Sequence, residues 1–149
     1  MSAGVEVLYR DVLVEHARHP HNRREVPDAT LHAEIENPLC GDRVTVYATV
    51  ADGVVCDVSF VGDACAVATA SASMMTDAVR GTRAVDIAGL FAALQAFLRG
   101  DTGAPVGAEL GAFVAFDGVR EFPARIRCAE LPWHALMAAL CPAPVASTG

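Results

Sequence analysis

Two apolar alternations facing each other across a two-residue turn constrain this chain more than any other feature. Val44, Val46, Ala48 and Val50 alternate with Thr45, Tyr47 and Thr49; after Asp52-Gly53, Cys56, Val58 and Phe60 alternate with Val55, Asp57 and Ser59. A period of two puts each set on one face of a strand, and Asp-Gly readily adopts the positive φ angles of a tight hairpin turn. The pair reads as an antiparallel hairpin with Cys56 packed in the core beside Val58 and Phe60. Leu31, Ala33 and Ile35, alternating with His32, Glu34 and Glu36, add a third half-buried strand ahead of it. Three such strands with short links form a meander.

The flanking segments change period. Val5, Leu8, Tyr9, Val12, Leu13 and His16 recur at helical spacing and stop at His19-Pro20, where proline prevents continuation. Gly62-Asp63 is expected to break the third strand and cap a helix over about 64–80, closed by Gly81. A further helix is expected over 84–99, interrupted at Gly89, then a surface loop over 100–111. The last helix begins with Pro123 in its first turn and runs to Leu140, and Pro132 should kink or divide it. Met74 and Met75 fall at core positions of their helix. Helix, strands, then helices predict an α+β fold: a two-layer domain with a three-stranded antiparallel sheet packed against helices. The 149 residues are expected to form one domain, its core about 5–140 and its tail 141–149 flexible.

Charge narrows the function. Eleven basic against 18 acidic side chains give −7, the wrong balance for gripping a phosphate backbone. A hydrophobic content of 53% with 19% charge is globular. Glu6 and Asp11 interrupt the start where an export signal needs an apolar run. The uncharged run Ala64 to Thr76, 13 residues, is short of the roughly 20 that span a bilayer. A cytoplasmic protein without nucleic-acid or membrane partners is expected, and five cysteines in that compartment point to metal or thiolate chemistry or to burial.

Cys40-Gly41-Asp42 follows Asn37-Pro38 in the turn between the first two strands, so a thiolate and a carboxylate can reach one point. Cys65 is placed in the first turn of a helix, where unpaired N–H groups favour a thiolate. Cys128 falls on the last helix. Three thiolates and a carboxylate meet the four-ligand requirement of zinc, but spacing alone does not show that they converge and allows two loop residues and two buried cysteines.

The segments Asn37-Pro38-Leu39-Cys40-Gly41-Asp42-Arg43, Phe60-Val61-Gly62-Asp63-Ala64-Cys65-Ala66 with Ala70-Ser71-Ala72-Ser73-Met74-Met75-Thr76, and Phe122-Pro123-Ala124-Arg125-Ile126-Arg127-Cys128-Ala129 closely resemble the iron-sulfur cluster assembly scaffold family, IscU or the N-terminal part of NifU. Leu8-Tyr9-Arg10 and His19-Pro20-His21-Asn22 extend the likeness, which runs from about residue 6 to residue 140. It is nearest to the SufU-type branch. Cluster-building members have a histidine before the third cysteine and a Leu-Pro-Pro-Val-Lys stretch upstream; here Arg127 precedes Cys128 and the stretch is absent. Ala64 replaces a glycine common in the family.

The resemblance implies Zn2+ held by Cys40, Asp42, Cys65 and Cys128, and sulfur taken from a SufS-type pyridoxal-phosphate cysteine desulfurase for downstream iron-sulfur assembly proteins. It also implies that a desulfurase histidine replaces Cys40 on the zinc, and that the freed Cys40 thiolate accepts persulfide sulfur. On this reading the chain is a sulfurtransferase enzyme acting with its partner. One alternative is a scaffold whose thiolates hold a transient [2Fe-2S] cluster; another is an interaction module with a structural zinc. Arg125 and Arg127, flanking Cys128, either steady its thiolate or pair with a partner carboxylate, against the plainer reading of solvated helix charges. Cys141 is expected to be an incidental thiol, and His16, His19 and His21 a solvated cluster rather than ligands.

Overall fold

The computed structural model describes residues 3–37, 41–100 and 111–140. In chain order these form α1 (Ala3–Arg18), β1 (Leu31–Asn37), β2 (Asp42–Ala51), β3 (Val54–Asp63), α2 (Ala66–Val79), α3 (Ala84–Leu98), a 3-10 helix (Gly111–Glu121) and α4 (Pro123–Leu140). The sheet is antiparallel in the order β1-β2-β3, the expected meander and α+β class. Asp52 and Gly53 both take positive φ, 55° and 79°, which lets the β2–β3 hairpin close in two residues. Among the described residues no helix is long and apolar enough to cross a membrane.

One strand face differs from the alternation read in the sequence. A bulge lies between Thr49 and Val50: Thr49 pairs with Asp57, and Val50 with Val55. Cys56 is the extra residue this skips, since a bulge sets two residues of one strand against one of the other. The alternation slips by one there, so Val55 and Val58 are buried. Cys56 is exposed rather than in the core, its thiol donating to the Thr49 carbonyl at 3.4 Å.

The covered face of the sheet presents Val44, Val46, Ala48, Val58 and Phe60 to α2 and α4. Helix α2 is nearly all small: Ala68, Ala70, Ser71 and Ala72 are buried along with Met74 and Met75. Short side chains allow close approach to α4, and the Ser71 hydroxyl donates across to the Ala129 carbonyl at 2.5 Å. At its far end α2 meets the hairpin again: Gly81 N–H donates to the Val55 carbonyl at 2.7 Å, and Val55 N–H to the Thr82 carbonyl at 2.9 Å.

Two helices run through expected breaks. Gly89 does not interrupt α3, and α4 continues past Pro132. Leu131, Pro132 and Trp133 are all buried, so tertiary packing carries the helix through the site of the missing N–H. Trp133 stacks on Phe91 at 5.6 Å and meets Phe113 edge-on at 5.4 Å. Helix α1 packs against α2 and the 3-10 helix and ends before Pro20 as expected.

Candidate metal centre

Asp42 opens β2 opposite Asn37, the last residue of β1, and is 7% exposed. The two strands are drawn together by the Gly41 N–H, which donates to the Asn37 carbonyl at 2.8 Å. On the other side of β2, Gly62 pairs with Val44 and Asp63 with Arg43. A Cβ at Gly62 would stand 2.2 Å from the Arg43 carbonyl oxygen, so only glycine lets the end of β3 lie this close to the start of β2. The chain therefore leaves β3 beside Asp42.

Two residues on, Cys65 N–H donates to Asp42 Oδ1 at 3.2 Å. Cys65 is not inside the first turn of α2 but caps it: its backbone is extended (φ −66°, ψ 169°), and its Sγ accepts from the Ala68 N–H at 3.5 Å. Sulfur does here what a serine or aspartate oxygen ordinarily does at a helix start, and the positive end of the helix dipole favours negative charge on it. Cys65 remains open to solvent.

Cys128 arrives from α4, 9% exposed, and its thiol donates to Asp42 Oδ2 at 3.7 Å. One carboxylate thus holds both cysteines, one through its backbone and the other through its sulfur. A donor atom from each of Asp42, Cys65 and Cys128 lies within 4.8 Å of the other two. Two sulfurs and a carboxylate oxygen suit zinc, which accepts both donor types in tetrahedral sites and leaves room for a fourth ligand. The structure brings together three of the four expected ligands; Cys40, like Cys141, lies outside the described residues.

Arg125 and Arg127 are both exposed. The Arg125 guanidinium covers the Phe122 ring at 5.0 Å, while Arg127 lines a cavity of about 210 Å3 with Asn37, Glu130 and His134. Glu130 was not singled out in the sequence. It is 3% exposed, with Oε1 receiving Arg99 at 3.1 Å and facing His134 Nε2 at 3.7 Å, and its Oε2 has no hydrogen-bond partner among the described residues. A lone acid between Ala129 and Leu131 in an apolar helix was the available signal.

The histidines divide. His19 is exposed, whereas His16 and His21 are engaged rather than merely solvated. His16 Nδ1 meets Ser73 Oγ at 2.7 Å, and His21 Nδ1 meets Asp77 Oδ2 at 2.6 Å. Burial, then the neighbouring His21, lowers the His16 pKa below its usual 6.5, with Asp77 and Glu15 opposing.

The chain and its fold have counterparts in known proteins. A family model described as the NifU-like N terminal domain matches residues 8–129. The zinc-dependent sulfurtransferase SufU of Bacillus subtilis is 35% identical over 138 residues, covering 91% of this chain and 90% of that protein. The iron-sulfur cluster assembly scaffold protein IscU of Streptococcus pyogenes is 34% identical over 133 residues, covering 89% and 82%. The crystal structure of the N-terminal part of a nitrogen-fixing NifU-like protein from Brucella abortus superposes with a TM-score of 0.80 at 28% identity, covering 91% of this chain and 94% of that one.

Proposed function

Because the chain belongs to the NifU-like N-terminal domain family of iron-sulfur cluster assembly proteins, we propose that it is a zinc-dependent sulfurtransferase serving a pyridoxal-phosphate cysteine desulfurase. The observation that carries this reading is the convergence of Asp42, Cys65 and Cys128 at one end of the sheet. Cys40, two residues before Asp42, is the fourth ligand. Arg127 in place of a histidine before Cys128 favours sulfur transfer over cluster building.

A zinc ion on Cys40, Asp42, Cys65 and Cys128 would keep the thiols deprotonated without oxidising them. Cys40 is the sulfur acceptor, since thiol exchange needs an exposed attacking thiolate and a turn between strands gives better access than a packed helix. Its thiolate attacks the outer sulfur of the desulfurase persulfide. A sulfur-sulfur bond forms at Cys40, the donor's sulfur-sulfur bond breaks, and its electron pair leaves with the donor cysteine as thiolate; the transferred sulfur keeps its oxidation state. Asp42 positions the remaining pair, and as an oxygen donor it is the most exchangeable member of the set. The sulfur passes on to iron-sulfur assembly proteins of the cytoplasm.

Metal analysis combined with desulfurase turnover tests the reading. Expected are one retained zinc, faster turnover when the protein is added, and an added sulfur mapped by mass spectrometry to Cys40 and lost in Cys40→Ala. A Cys40→Ala protein that accepts sulfur normally would sink the acceptor assignment. The scaffold reading, supported by the IscU relative, requires instead that anaerobic iron and sulfide yield a stable, transferable [2Fe-2S] cluster. Retained zinc with no effect on turnover would mark the metal as structural.

A further inference from the structure

Away from the Asp42 centre, His16, His21 and Asp77 each offer a ligand atom within 4.8 Å of the other two. We propose that they form a second, separate site for a divalent late transition metal of the zinc, cobalt or nickel kind. The three residues come from the end of α1, the turn after it, and α2, so the grouping is made by the fold and not by one helix face. Ligands of one tetrahedral ion with bonds near 2.0–2.1 Å sit roughly 3.3 Å apart. His21 Nδ1 and Asp77 Oδ2 share a hydrogen bond at 2.6 Å, which the ion would replace as the pair opens to that spacing. Side-chain rotations on the order of 1 Å bring in the remaining donor.

The surroundings hold these groups in place independently of any ion. Ser73 Oγ contacts His16 Nδ1 at 2.7 Å and accepts the His21 backbone N–H at 2.8 Å. Asn22, in the left-handed region at φ 59°, donates to Thr76 Oγ1 at 3.0 Å and to Asp77 Oδ1 at 3.4 Å. Its own carbonyl is tied to the Phe60 N–H at 3.1 Å. A hydroxyl on the ligand ring and an amide on the ligand carboxylate are the outer partners that orient metal ligands and fix tautomers.

The donor set narrows the ion to the late first-row divalent metals. Two imidazoles and a carboxylate without sulfur suit zinc, nickel or cobalt; magnesium and calcium want more oxygens, and copper(I) wants thiolate. About half the side-chain surface of His21 and of Asp77 is exposed, so an ion enters directly and water completes its shell. Once bound, it pins the 19–22 turn to α2.

Cobalt(II) titration of the full chain, stripped of metal and kept reduced, distinguishes the two sites. Two equivalents are expected. One shows thiolate-to-cobalt charge transfer in the near ultraviolet; the other shows only weak visible bands. His21→Ala and Asp77→Asn, each checked for folding by circular dichroism, should weaken the sulfur-free equivalent by about tenfold or more and leave the charge-transfer band intact. Cys65→Ser should do the reverse. The absence of a sulfur-free equivalent in the unaltered protein, a sulfur-free equivalent untouched by both variants, or one saturating only at millimolar cobalt would overturn the second site. A missing charge-transfer band counts against the sulfur-transfer reading and leaves this one standing.

Discussion

Asp42 is the residue on which the centre turns, because its two oxygens serve different chains of contact: Oδ1 takes the Cys65 N–H and Oδ2 the Cys128 thiol. Asp42→Ala frees both partners while retaining every cysteine. Zinc should be lost to a competing chelator more readily than from the unaltered protein, yet less readily than from Cys65→Ser or Cys128→Ser. Equal retention in Asp42→Ala and the unaltered protein would remove Asp42 from the ligand set. Residue identity made the site legible, since three cysteines and an aspartate stand in motifs that can be recognised one by one. The meeting of Asp42, Cys65 and Cys128 was not legible, because no spacing along a chain encodes a distance across it. Cys56 illustrates the opposite failure: strict alternation assigns it to the core, and a one-residue bulge turns it outward. Cys56 should react quickly with a thiol reagent, and Cys56→Ser should change stability by less than about 0.5 kcal/mol. Protection of Cys56 from the reagent would contradict its place in the bulge.

At the level of elements, α2 is defined by how little its side chains protrude. Ala72 is fully buried, and Ala72→Leu should cost about 1–3 kcal/mol in a denaturant melt through overpacking. Beyond the end of this helix, Arg80 joins Arg24 on Asp57 of β3, at 3.1 and 2.7 Å. The hydrogen bond from Arg24, then that from Arg80, holds the Asp57 carboxyl below its usual 3.8 against the opposing effect of burial. A carboxyl depressed in the folded state stabilises fully above its unfolded value and loses that contribution as pH falls through the folded one. Asp57→Asn should therefore melt earlier at neutral pH by a fraction of about 1 kcal/mol, as exposed pairs do. The gap should narrow as pH drops below 3.8; a gap independent of pH would show that the pairs contribute nothing. Hairpin and helices were readable from their periods. The 3-10 helix was missed although Phe113, Phe116 and Val119, all buried, recur every third residue, the 3-10 period. A pattern of only three members is easily passed over beside the longer helical ones. Pro132 misled for a different reason, since burial on both sides of it outweighs one absent hydrogen bond.

Across the whole molecule, the centre gathers the start of β2, the cap of α2 and the middle of α4, so an ion there ties together elements distant in sequence. With zinc bound there as proposed, stripping it should lower the melting temperature, followed by the fluorescence of Trp133, which is 0% exposed in the core. A ligand present at a hundred times its dissociation constant adds about 2.7 kcal/mol; an unchanged melt would deny the metal any part in holding the fold. The α+β class could be read from the change of period from two to that of a helix, because that signal spans many residues. The docking of the His21 turn onto α2 depends on Ser73, Thr76 and Asp77, single residues that stand out only once the helix is in place. One consequence concerns mechanics. Helix α2 is fastened at both ends to the same strand hairpin, through Asp42 and Cys65 at its start and through Val55, Gly81 and Thr82 at its finish. A rod mounted at two points cannot slide along its own length, so the sulfur at its tip is a fixed anvil, and whatever travel the proposed sulfur transfer demands falls to the proposed desulfurase and to the opposite side of the centre.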